Sequence, residues 1–298
     1  MSSRLSYFLS SAKGWFDRSR LKCPNCGSTR CETIKRKYIV TALRRCSSCR
    51  LLHRIPLDPA GFNDRFYNND YEQGFTTDLP SDVELKRLIE TKFSGTEKDY
   101  LHKVAVMLAL GLKPEALIID FGASWGYGAW QLKKSGFQVE GFEIGRARAA
   151  FAQEKLFIPM KTMDDLTTQS PRYDAVFTSH VLEHIPTVSS TLKVLMDCVK
   201  PGGLVIAFTP NGSLGRASKL GSEFHTVWGQ VHPVLPDEQY YRNAAGDHPL
   251  LLATSPYPLE LMKSWDHQSP ASGSLLGEEL LAVIQNRAPG SVQIQATG

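Results

Sequence analysis

The chain is 298 residues long, 42% hydrophobic and 21% charged, with a formal net charge of +4. That length holds one large domain, or a small module ahead of a domain of ordinary size, and that balance excludes a disordered polyelectrolyte. The modest positive charge does not by itself mark a nucleic-acid binder, which concentrates lysine and arginine on one face.

Residues 1–20 read as a short N-terminal segment. Tyr7-Phe8-Leu9 is too brief an apolar stretch for a signal peptide. No run in the chain approaches the roughly 20 apolar residues of a membrane-spanning helix. The expected setting is cytoplasmic, where thiols stay reduced.

Residues 21–55 carry two cysteine pairs, Cys23-Pro24-Asn25-Cys26 and Cys46-Ser47-Ser48-Cys49. Two residues between cysteines let both sulfurs face one ion across a tight turn, and Gly27 can supply the positive φ that such a turn often needs. Thr33 to Leu43 is β-prone and reads as a hairpin between the pairs. Four thiolates with no open position describe a structural zinc ribbon with Cys23, Cys26, Cys46 and Cys49 as ligands. Redox-active pairs would need a thioredoxin-like context, and disulfides an oxidising compartment. Cys31 is an alternative ligand without a partner two residues away, and Cys198 reads as helix core. The basic run Ile34-Lys35-Arg36-Lys37-Tyr38 and the pair Arg44-Arg45 form either a local patch or the solvated face of the module.

Residues 56–110 read as a connector. Phe66 to Tyr71 is an aromatic and polar cluster without periodicity, and Ser81 to Leu110 reads as helical, with Leu85, Leu88 and Ile89 and later Leu101, Val104, Ala105 and Leu108 at helical spacing.

From 111 to 289 strands and helices alternate, which predicts an α/β domain built on a doubly wound, Rossmann-like sheet. Leu117 to Phe121 is a nearly continuous apolar strand, followed by the glycine-rich turn Gly122-Ala123-Ser124-Trp125-Gly126-Tyr127-Gly128 and a helix ended near Gly136. A second strand, Phe137 to Phe142, ends in Glu143. Glycines at such a turn admit a ligand close to the backbone, and an acid about 20 residues on accepts hydrogen bonds from ribose hydroxyls. Asp120 just before the turn repels a phosphate but suits a cationic amino-acid group, which favours a sulfonium cofactor over a dinucleotide.

Ile119-Asp120-Phe121-Gly122-Ala123-Ser124-Trp125-Gly126 resembles motif I of the class I S-adenosylmethionine-dependent methyltransferases. Tyr173 to Pro186 resembles their fourth-strand motif, and Val199 to Ile206 the following loop and fifth strand. The resemblance covers roughly Lys113 to Asn211, with a last strand expected at Glu279 to Asn286. It implies an enzyme that binds S-adenosyl-L-methionine through Asp120, Gly122, Ser124, Gly126 and Glu143. Asp164 or its neighbouring backbone would lie by the adenine, with Ser179 and His180 at the methionine end. Ser124 stands where the family's second glycine is usual, so its hydroxyl must avoid the cofactor or bond to it.

Methyl transfer asks the protein mainly to position an acceptor and take its proton. His232, His180 and His225 are the candidate bases, and His184 reads as structural. His225 and His232 bracket an insertion, Phe224 to Pro233, ahead of a helix expected near Pro236. Asp247 to Ser274 reads as ordered but irregular, and residues 290–298 as a tail. Methyltransferases that join a four-cysteine ribbon to this domain, which the chain resembles, include enzymes of nucleotide-linked sugars and bacterial glycans. The leading acceptor class is therefore a sugar-linked small molecule. The alternatives are an RNA-modifying methyltransferase whose ribbon grips nucleic acid, and a non-catalytic scaffold of the same fold.

Overall fold

A computed structural model describes residues 3–59, 78–168 and 171–287, with side chains from residue 7 onward. The aromatic cluster Phe66 to Tyr71 and the tail at 290–298 lie outside these residues.

In the N-terminal part, β1 (Cys31–Lys37) and β2 (Thr41–Cys46) form the hairpin expected from their β-prone residues, and β3 (Leu52–Ile55) adds to β2 antiparallel. The hairpin turns through Tyr38 and Ile39 with φ of 54° and 64°. A fourth strand comes from far along the chain: β9 (Val234–Leu235) pairs with β3 through Leu52 opposite Leu235 and His53 opposite Val234. The ribbon sheet is therefore completed by the two residues that directly follow the insertion Phe224 to Pro233.

The larger sheet carries β4 (Leu117–Phe121), β5 (Gln138–Phe142), β6 (Met160–Lys161), β7 (Tyr173–Ser179), β8 (Val199–Pro210), β10 (Leu250–Thr254), β11 (Ala271–Ser272) and β12 (Glu279–Gln285). Their spatial order is β11-β10-β12-β8-β7-β4-β5-β6. β6, β5, β4, β7 and β8 run parallel, while β12 is antiparallel to both β8 and β10. Alternate residues feed two cores. Ile118, Phe177, Ile206 and Leu251 meet helices 101–109, 127–134 and 146–156 on one face, and Ile119, Val176, Val205 and Leu252 meet helices 188–198 and 238–245 on the other. Apolar residues on both faces are what a covered parallel sheet requires. The helix Val188–Cys198 buries Val188, Leu192, Leu195 and Cys198, one stripe at helical spacing.

Two expectations change in detail. Ser81 to Leu110 is two helices, Asp82–Glu90 and Leu101–Ala109. The first ends where Lys92 takes a φ of 51° and the Phe93 N–H reaches back to the Leu88 carbonyl, a left-handed cap that terminates a helix. The segment from Asp247 to Ser274 contains β10, the helix Leu259–Ser264 and β11, with Leu250, Leu251 and Leu252 buried in the sheet and Met262 packed into the core beside it. No helix among the described residues is long and apolar enough to cross a membrane.

Candidate functional site

β4 and β7 are adjacent and parallel, yet the helix after β4 packs on one face of the sheet and the helix after β7 on the other. Their departing chains part, and a crevice opens beyond the carboxyl ends of the strands, where such sheets bind ligands. A cavity of about 790 Å³ lies there, within the size range of small-ligand sites.

The turn after β4 forms one wall. Gly122 has φ 86°, and a Cβ on it would stand 2.2 Å from Val181 Cγ2, so only glycine lets the turn meet the chain leaving β7. Ser124 sits at φ 50°, the left-handed region that glycine usually fills. Its N–H donates to Glu143 Oε2 at 3.0 Å, while its buried Oγ has no partner among the described residues. An orphaned hydroxyl on the wall of a cavity is a group waiting for a ligand. Glu143, at the end of β5, also accepts from the Gly145 N–H at 2.7 Å and from Arg148 at 2.9 Å. Ile144 and Met163 add apolar surface beside it.

Asp120 lies behind this wall, not on it: it is buried and accepts from the Ala129 backbone. Burial, and then the nearby Glu143 charge, push its carboxyl up to about 7. Gly126 begins the helix Tyr127–Lys134 at φ 90° and packs on Ala152. Asp164 does not line the cavity; its neighbour Met163 does. Of the residues singled out for the cofactor, Gly122, Ser124, Glu143, Ser179 and His180 line the cavity together.

His180 closes β7 at φ 55°. Its Nε2 is 2.5 Å from Glu279 Oε1 and its Nδ1 3.2 Å from Glu183 Oε1. The partial desolvation of this half-exposed ring opposes its charge, but the two carboxylates outweigh it and raise its pKa to about 9. At neutral pH His180 is therefore an imidazolium, with no lone pair to take an acceptor's proton. His232 lines the cavity, its Nδ1 3.0 Å from the Val227 carbonyl, whereas His225 does not line it. His225 instead turns Nδ1 to the Ser222 carbonyl.

Sequence reasoning missed Lys103 and Glu279. Lys103 is buried on the apolar face of the helix Leu101–Ala109, donates to Ser179 Oγ at 2.5 Å and pairs with Glu279 Oε1 at 2.9 Å. A lysine beside Val104 and Met107, on the face that should be apolar, was the available signal. Glu279 opens the antiparallel strand β12 opposite Pro210, which brings it to the carboxyl ends of the parallel strands. Burial favours its neutral form, but His180 and Lys103 hold its carboxyl well below the usual range. Tyr257 donates its hydroxyl to the same carboxylate.

The four ribbon cysteines form a second centre. Their sulfurs all lie within 4.8 Å of one another, with Cys23–Cys49 at 3.6 Å and Cys26–Cys46 at 3.5 Å. Sulfurs around a tetrahedral zinc are about 3.8 Å apart, and those of a disulfide about 2.05 Å. The donor set fits zinc and no disulfide is present. Cys31 is outside this four-sulfur group although it stands opposite Cys46 in the hairpin, and its Sγ is directed to the Ser28 carbonyl. Gly27 follows the first pair at φ 71°, and Arg50 plays the same part after the second at φ 64°.

The basic run does not stand free. Lys35 Nζ donates to the Gly221 carbonyl and Lys37 Nζ to those of His225 and Trp228, clamping the hairpin onto the insertion. Arg45 is buried in a two-pronged pair with Asp237.

A family model described as "Methyltransferase domain" matches residues 94–246, just over half of the chain. The ubiquinone biosynthesis O-methyltransferase of Yersinia pestis (strain Pestoides F) is 31% identical over 105 residues, covering 33% of this chain and 43% of that protein. That of Yersinia pseudotuberculosis serotype O:1b (strain IP 31758) matches to the same extent, so the chain spans less than half the length of these curated relatives. Among solved structures, the plantazolicin methyltransferase BpumL, in complex with an analog and SAH, is similar with a TM-score of 0.49 at 12% identity, covering 70% of this chain and 92% of its own. The magnesium protoporphyrin IX methyltransferase of Synechocystis PCC 6803, with bound SAH, is similar with a TM-score of 0.45 at 17% identity, covering 76% and 98%.

Proposed function

The chain belongs to the methyltransferase-domain family, and on that premise we propose that it transfers a methyl group from S-adenosylmethionine to a sugar-linked small molecule. The observation that carries the cofactor reading is the wall of Gly122, Ser124 and Glu143, with a buried, unpartnered hydroxyl and a carboxylate on one cavity. The cofactor supplies a methyl group on a cationic sulfonium. Glu143 would accept the ribose hydroxyls, Ser124 Oγ would bond to the cofactor, and Ser179 and His180 would flank the methionine end. Asp120 would act from behind the turn, through charge rather than contact. His232, anchored through Nδ1, would face the acceptor and take its proton, and the imidazolium of His180 would position rather than deprotonate.

The ribbon would serve this site as a brace. Its strand β3 holds β9 directly after His232, and the Arg54 N–H donates to the Pro233 carbonyl at 2.8 Å. The zinc held by Cys23, Cys26, Cys46 and Cys49 would fix that brace, and residues 21–55 would form a module attached to the domain at 111–289. An RNA acceptor is less favoured, since Lys35, Lys37 and Arg45 are engaged within the protein.

The test is transfer of radiolabelled methyl from S-adenosylmethionine to a panel of nucleotide-linked sugars, with RNA in parallel. Label in a sugar product supports the reading. Label in RNA alone replaces the acceptor class, and no label in either counts against the sugar assignment.

A further inference from the structure

Beside the cofactor wall stands a cluster that the reaction as described leaves partly unused. Glu183, His184 and His232 each bring one ligand atom to within 4.8 Å of the others. Glu183 is fully buried, yet its Oε2 has no hydrogen-bond partner among the described residues. Burying a carboxylate oxygen without a donor is costly unless a cation compensates it.

The two imidazoles are set as metal-binding histidines are. His184 Nδ1 lies 2.7 Å from the Val231 carbonyl and His232 Nδ1 3.0 Å from the Val227 carbonyl. A carbonyl only accepts, so Nδ1 carries a proton in both rings, and in the neutral imidazole Nε2 is the nitrogen left to ligate. Anchoring the outer nitrogen to a carbonyl in this way fixes ring and tautomer for ligation through the other. The carboxylate is held likewise, with His180 Nδ1 3.2 Å from Glu183 Oε1. His184 Nε2 stands 4.0 Å from Glu183 Oε1. Two ligands of one ion with bonds of about 2.1 Å are roughly 3–4 Å apart.

We propose that Glu183, His184 and His232 form a binding site for a divalent first-row transition ion at the wall of the cavity. Two imidazoles and one carboxylate favour such an ion over magnesium or calcium, which take oxygen ligands, and leave coordination positions for a further ligand. The site is distinct from the thiolate ribbon in both residues and chemistry. His184 and His232 line the cavity, so the further ligand is an acceptor hydroxyl, a step that rests on the methyltransferase reading. The bound hydroxyl releases its proton to solvent. Its oxygen bonds to the methyl carbon while the carbon–sulfur bond breaks, and that electron pair leaves with S-adenosylhomocysteine. With the ion in place His232 Nε2 is a ligand, so solvent takes the proton that this ring would accept in the ion-free site.

The test uses the full chain with its ribbon saturated in zinc, titrated with Mn²⁺ or Co²⁺, ions that a zinc-filled thiolate site does not take up readily. Free Mn²⁺ is read by electron paramagnetic resonance, and S-adenosylhomocysteine binding is measured on the same samples. The expected result is one added ion per chain. Loss of an outer-shell partner alone typically weakens metal binding by 10–100-fold, so His232→Ala should weaken it at least about tenfold and leave S-adenosylhomocysteine binding in place. Glu183→Gln, similar in shape, should do the same, and covers the case in which one variant folds poorly. No added ion in the wild type, or equal uptake by His232→Ala, overturns the proposal. Metal uptake without S-adenosylhomocysteine binding would fault the cofactor reading and leave the ion site standing.

Discussion

Glu143 gathers the Ser124 and Gly145 N–H groups and the Arg148 guanidinium around one carboxylate at the cavity wall. A charge-assisted hydrogen bond contributes about 1.5–3 kcal/mol, so Glu143→Ala should weaken cofactor binding by at least about tenfold. Calorimetric titration with S-adenosylhomocysteine checks this, and unchanged affinity would remove the ribose role. Asp120 makes a pH-dependent statement. Its carboxyl is raised to about 7 in the folded protein, above the roughly 3.9 of an unfolded aspartate, so the folded state binds more protons between those values. Stability from this group is full below about pH 4 and is lost as pH rises through about 7. The urea midpoint of the wild type should accordingly fall relative to Asp120→Asn between about pH 5 and pH 8. A constant offset between the two would contradict the assignment. Gly122, Ser124 and Glu143 were legible because turn chemistry is local. Lys103 and Glu279 were not, because a charge on a buried face acquires meaning only from the strand or helix it meets.

Among the elements, the join between the ribbon and the sheet domain matters most. Asn25, inside the first cysteine pair, exchanges two hydrogen bonds of 2.8 Å with Ser189 on the helix Val188–Cys198. Arg45 on β2 meets Asp237, which also caps the helix Glu238–Ala245. Asp237→Ala would leave the guanidinium buried without its partner, which should cost about 3–5 kcal/mol in urea unfolding. A loss near zero would mean that water reaches Arg45. Removal of the zinc proposed for the four cysteines would act on the same join. With the thiolates released, β3 should loosen, and hydrogen exchange at Val234 and Leu235 should accelerate while β4, β7 and β8 stay protected. Uniform protection after chelation would show that the ribbon holds without its ion. None of this pairing was readable beforehand. The β-propensity of residues 33–43 marks a hairpin but does not say which distant strand completes the sheet, and Val234–Leu235 is too short to announce itself.

At the scale of the molecule, the fold was open to sequence reading because a parallel sheet buried on both faces demands nearly continuous apolar runs, and Leu117–Phe121, broken only by Asp120, and Leu204–Phe208 supply them. The crevice then follows from the order of the strands. The side of the crevice proposed for the acceptor follows from nothing so regular, since it draws on the insertion at 224–233 and on contacts of His184 and His232 with carbonyls. Whether this crevice holds the cofactor is tested most directly by calorimetric titration of the full chain with S-adenosylmethionine and with S-adenosylhomocysteine. Saturable binding of both at one site per chain, weakened in Glu143→Ala, is the expected result. No heat with either ligand, from folded protein supplied with zinc, would contradict it.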